Sequence, residues 1–135
     1  MTVEELLQLP TIKGLKLISG NLGVHREIST VTVVDTPDGF QWLKGNEVVI
    51  TTTYALEKTP NSFLDFISKL LSRNISALIV KSDRYIKVIP ENAKKLCDEK
   101  ALPLIYCPAI YAFADIINPT LSGIISKQAE QLKES

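Results

Sequence analysis

The chain has 135 residues, 45% of them apolar and 22% charged, enough for the packed core of one domain and a poor match to disorder. Fifteen basic residues balance fifteen acidic ones, so the basic excess that phosphate binding calls for is missing and no direct DNA contact by this domain is expected. The opening MTVEELLQLP reads as no signal peptide, and no stretch reaches the roughly 20 apolar residues that span a bilayer, so no membrane contact is expected. Cys97 and Cys107 form no CxxC pair and are expected as reduced, buried thiols of a cytoplasmic protein.

Thr2 and Glu5 have capping-box spacing, which predicts a short helix from Val3 that turns Leu6, Leu7 and Leu9 inward and closes at Pro10. A short strand is read at Lys16-Leu17-Ile18, ended by Ser19-Gly20-Asn21. The β-branched stretch Thr30 to Val34 is a clearer strand, stopped by Asp35-Thr36-Pro37-Asp38-Gly39. One helical turn follows at Phe40, Trp42 and Leu43. The strand Glu47 to Thr53 then carries the continuous run Val48-Val49-Ile50, which suits burial on both faces.

Pro60 to Arg73 is read as a helix, because Phe63, Phe66, Ile67, Leu70 and Leu71 repeat at the helical period and Asn74 supplies a stop. Ser76 to Val80 is a buried strand. Ile86 to Ile89 reads equally as a short strand or an irregular segment. Pro90 opens a helix over Glu91 to Lys100, with Ala93, Leu96 and Cys97 inward, and Leu102 to Tyr106 is a last strand before Pro108. The tail is expected to divide at Pro119 into a helical piece over Tyr111 to Ile117 and a second one reaching about Leu132.

From Thr30 onward strand and helix alternate. That order predicts an α/β fold, a mainly parallel sheet flanked by helices, with a single domain over residues 1–118 and a C-terminal exit helix over 119–135. In such sheets ligands bind beyond the C-terminal ends of the strands. The residues there are Asp35, the hydroxyls of Thr51, Thr52 and Thr53, and Lys81, a set suited to a small polar heterocycle.

Each of these residues also has a structural reading. Threonines are common strand and cap residues, Asp35 suits an Asx-type turn before Pro37, and Lys81 sits where a buried strand meets water. Trp42 presents a face for stacking, but a core anchor packing the short helix onto the sheet is the stronger expectation. His25, the sole histidine, lies in a Gly-rich turn with no ligand at metal spacing, so neither a metal site nor a catalytic role is expected. No GxGxxG, Walker, HExxH or GxSxG motif is present. On the last helix Leu121, Ile124, Ile125 and Leu132 form a stripe that is either ordinary core or the contact of a homodimer.

The block DTPDGFQWLKGNEVVITTT from Asp35 to Thr53 carries a proline-containing turn, a Trp-Leu pair, a Gly and a strand ending in threonines. In this it resembles the N-terminal domain of the purine-catabolism regulator (PucR-like) family of bacterial transcription regulators. The opening TVEELLQLPTIKGLKLISGNLGVHREISTVTVVD, the Leu102-Pro103-Leu104 strand and the Ile124 to Leu132 helix extend the likeness over nearly the whole chain. Thr53-Tyr54 departs from the Gly that commonly follows the family's threonines, and Cys107 to Tyr111 replaces a Trp or Arg region.

The resemblance implies a ligand-sensing regulatory domain related to purine catabolism, with a metabolite of the purine or ureide class as its partner. It would signal to a helix-turn-helix domain absent from this chain. No cofactor and no enzyme activity are expected. The competing expectations are a dimerisation or interdomain module with no small-molecule site and, further off, a small enzyme with acid–base groups in a cleft.

Overall fold

The apolar runs at 48–50 and 77–80 form the middle of a five-stranded sheet, where both of their faces are covered. The computed structural model describes residues 1–52, 62–83 and 89–134. Thr53, the expected helix start at Pro60, and Ile86 to Val88 of the ambiguous segment lie outside the described residues. The strands are β1 (Lys16–Ser19), β2 (Thr30–Val33), β3 (Glu47–Thr52), β4 (Ala77–Ser82) and β5 (Leu104–Pro108). They lie in the order β1-β5-β4-β3-β2; β2 to β5 run parallel, and β1 joins β5 antiparallel. The α/β fold with a mainly parallel sheet is as expected from the sequence.

Helices α2 (Ser62–Leu71) and α3 (Glu91–Glu99) cover one face, setting Phe66, Ile67 and Cys97 against Val49, Leu78 and Leu104. On the other face α1 (Val3–Leu7) and α4 (Phe113–Glu134) pack Leu6, Ile116 and Ile124 against Val31, Ile50 and Ile79. The capping box on α1 is complete: the Glu5 N–H donates to Thr2 Oγ1 at 3.2 Å, and the Thr2 N–H donates to Glu5 Oε1 at 3.0 Å. After α2 the chain turns at Asn74, whose φ of 56° is the left-handed conformation that ends helices. Gly20 has φ 76°, and a Cβ there would lie 1.9 Å from the Leu102 carbonyl oxygen, so only glycine fits where β1 crosses the start of β5.

The tail differs from its expected division. It is one helix of 22 residues that passes through Pro119 unbroken. Proline removes one donor and crowds the preceding turn, but Ile116, Thr120 and Ile124, spaced four apart, bury one face of the helix on either side of it. Packing of that face holds the helix together across the proline. At its start the Ala112 N–H donates to Asp115 Oδ2 at 2.8 Å, which satisfies an end donor. Residues 125–133 are exposed, so about 13 Å of helix at 1.5 Å per residue runs on past the core, held to α1 by the Lys127–Glu5 ion pair.

Candidate functional site

Because β2 to β5 are parallel, their C-terminal ends meet at one rim. Asp35 follows β2 and turns its carboxylate toward β3. Its Oδ1 accepts from the Thr52 N–H at 2.8 Å, the Thr52 hydroxyl at 3.1 Å and the Thr51 hydroxyl at 3.2 Å. The carboxylate therefore ties two strand ends together. Thr51 is fully buried, and Thr52 is half-buried.

Lys81 is in register with Thr52 but does not reach Asp35. Its ammonium donates to the Ala109 carbonyl at 3.1 Å and lies 5.3 Å from the centre of the Phe113 ring. The structure thus joins Asp35, Thr51 and Thr52 and sends Lys81 toward the start of α4.

The topology explains this separation. A crevice opens at the tips of a parallel sheet where the strand order reverses and the connections leave on opposite faces. Here the order β2-β3-β4-β5 runs without reversal, and α2 and α3 lie on the same face.

The cavity that contains Asp35 lies instead at the free edge of β2. This open cleft of about 540 Å³ is lined by Thr30, Thr32, Val33, Asp35, Trp42 and Lys44, among others. Trp42 overturns its expected place in the core, being 82% exposed. It ends a 3₁₀ turn, Gly39–Trp42, with three residues per turn. Phe40 and the following Leu43 are three apart, so they share the inward side and Trp42 is left on the outward one. Phe40 is flanked by Lys69 and Arg73, each 5.6 Å from its ring centre, and Leu43 is buried. Glu47 anchors the next turn, its carboxylate accepting from the Lys44 N–H at 2.6 Å and the Gly45 N–H at 2.8 Å.

Of the exit-helix residues, Ile124 is buried and Leu121 half-buried, whereas Ile125 and Leu132 are 64% and 77% exposed. One stripe therefore splits into a core half and a solvent half. His25 is exposed, 3.5 Å from Glu4. Among the described residues no group of three or more His, Cys, Asp or Glu is placed to hold a metal. Burial pushes the Cys97 thiol up to about 12 and the Cys107 thiol up to about 11.

Sequence reasoning passed over Arg26. Its guanidinium donates to the carbonyls of Ala101, Ile75 and Lys100 at 3.1, 3.2 and 3.0 Å, clamping the turns that lead into β4 and β5. No local signal marked it, because all three acceptors are backbone atoms 49 to 75 residues away.

The chain matches the purine catabolism regulatory protein-like family over residues 5–124. It is 31% identical to the purine catabolism regulatory protein of Bacillus subtilis (strain 168) over 135 residues, which is 100% of this chain and 25% of that protein. The chain thus spans about a quarter of the length of this curated relative. No solved structure matches it.

Proposed function

The chain belongs to the purine catabolism regulatory protein-like family, and from that premise we propose that it is the metabolite-sensing domain of a cytoplasmic transcription regulator. In this reading a purine or ureide binds at the Asp35 end of the sheet. The exit helix α4 passes the binding state to a helix-turn-helix module elsewhere in the regulator. The domain recognises its ligand without turning it over.

The observation that carries this reading is the contact between the cleft strand and the helix. Val31 of β2 shares a core cluster with Ile116 and Ile124 of α4, and two residues past the end of the same strand Asp35 grips β3. A ligand at this edge bears on the strand that α4 leans against. A signal requires that the ligand bind one arrangement of β2 and α4 better than the other, since equal affinity shifts nothing.

The test is a thermal-shift series on the chain with hypoxanthine, uric acid and allantoin. Stabilisation by at least one is expected. If none stabilises the chain while the full-length regulator still responds to one of them, sensing resides elsewhere.

A second reading is a dimerisation module with no small-molecule site. It is favoured by Ile125, Ala129 and Leu132, which lie on one side of the projecting half of α4 and are all exposed. Pairing through α4 is also compatible with sensing, because a homodimer would set two DNA-binding modules at paired half-sites; the two readings differ in whether the domain holds a small molecule. Sedimentation of the chain and of an Ile125→Lys, Leu132→Lys variant tests the pairing: a dimer that the charges dissolve supports contact through this helix, and the thermal-shift series decides whether a small molecule binds.

A further inference from the structure

The edge of β2 offers more than an opening. In the parallel pairing with β3, the Val34 N–H donates to the Ile50 carbonyl at 2.9 Å. The groups of successive residues point to opposite sides of a strand, so the N–H and C=O of Val33 face away from β3. Among the described residues β2 is the last strand of the sheet, and Val33 lines the 540 Å³ cleft. An edge strand of this kind, Thr30-Val31-Thr32-Val33, carries none of the lysine or proline that commonly blunts exposed edges. Beside it stands Trp42, a large apolar ring held out in water by Phe40 and Leu43 packing on the other side of its turn. Lys44 is exposed at the same cleft.

From these neighbours we infer that the cleft at the β2 edge is a built site for a flat lactam heterocycle, a ring with adjacent N–H and C=O groups. The ring N–H donates to the Val33 carbonyl and the ring carbonyl accepts from the Val33 N–H, as a paired strand would. One ring face rests on the Trp42 indole, and Lys44 faces any anionic substituent. The cleft volume falls within the 300–1,000 Å³ or so typical of small-molecule sites. The inference rests on the sensing reading and gives it a location: the sheet edge, with Thr52 and Thr51 acting behind Asp35 as a brace that holds the end of β2 in place.

The experiment titrates the whole chain with hypoxanthine and with uracil, which share the lactam edge, and with caffeine, a flat ring without an N–H. Calorimetric heat and tryptophan fluorescence are both recorded. Trp42 is the sole tryptophan, so the emission reports on this cleft alone. Hypoxanthine or uracil should bind and change the emission, and caffeine should do neither.

Val33→Pro removes only the outward N–H at a position where edge strands tolerate proline. It should weaken binding about three- to tenfold, while Val33→Ala stays within about twofold. Trp42→Leu, at an exposed position, should weaken binding measured by heat without loss of fold.

Binding that is unchanged in both Val33→Pro and Trp42→Leu overturns this site and leaves the sensing reading intact. Caffeine that binds as tightly as hypoxanthine overturns the lactam pairing alone. If no compound binds and the full-length regulator still responds, both fall.

Discussion

The Asp35 carboxylate receives both the backbone N–H and the hydroxyl of Thr52, at 2.8 and 3.1 Å, so one side chain splices the end of β2 to the end of β3. Asp35→Ala leaves the Thr52 N–H and the fully buried Thr51 hydroxyl without this acceptor. Loss of a buried partner costs about 1–3 kcal/mol. A fall in Tm of roughly 4–11 °C is expected for a domain of this size. Asp35→Asn keeps one oxygen acceptor and should lose less than half as much. Equal melting of wild type and Asp35→Ala would remove the splice from the account.

Arg26 should matter more to folding than its place in a polar turn suggests. Truncation to Ala exposes three carbonyls that a cation now satisfies. Destabilisation of about 2–3 kcal/mol is expected in urea unfolding. Arg26→Lys reaches one of the three acceptors in place of the planar fork and should recover only part of the loss.

The thiols are the simplest check on the core. With Cys97 and Cys107 pushed up to about 12 and about 11 by burial, both are protonated and shielded at pH 8. A disulfide reagent should label neither in the folded chain and both in 6 M guanidinium. Rapid labelling of Cys97 in the native chain would mean that the α3 face is open, and rapid labelling of Cys107 that the α4 face is.

Much of this core was legible beforehand. The Val48-Val49-Ile50 run, the Phe63 to Leu70 periodicity, the Thr2–Glu5 box and the Asn74 stop each follow from local chemistry, and each has its predicted form. What escaped depended on distant partners. Trp42 faces out because Phe40 and Leu43 claim the inward side, and the helix survives Pro119 because Ile116 and Ile124 are both buried on the sheet. The direction of Lys81 is set by Ala109 and Phe113, 28 and 32 residues further along. The antiparallel seat of β1 on β5 likewise leaves no trace in Lys16 to Ser19 themselves.

The clasp between α1 and α4 should show in the pH response. Lys127 lies 3.0 Å from Glu5. The Thr2 backbone N–H first, and Lys127 second, hold the Glu5 carboxyl below its ordinary value of 4.5; the same Glu5 contact holds Lys127 above 10.5. A lowered carboxyl stabilises above its unfolded pKa and loses that contribution as the pH falls through the folded one. A raised ammonium stabilises below its unfolded pKa and loses that contribution as the pH rises through the folded one. The clasp is therefore complete between pH 4.5 and 10.5. Both groups are at the surface, so global stability should change little. The readout is fraying of residues 125–133 by amide exchange: Lys127→Gln should exchange faster than wild type at pH 7, and the difference should fade as the pH falls through the lowered pKa of Glu5.

Amide exchange across α4, with and without saturating hypoxanthine, puts the sensing mechanism to its most direct test. Slower exchange in β2 accompanied by altered exchange in residues 121–133 is the predicted pattern, since Val31 couples the cleft strand to Ile116 and Ile124. Exchange in α4 that stays the same, whether or not β2 is protected, would contradict it.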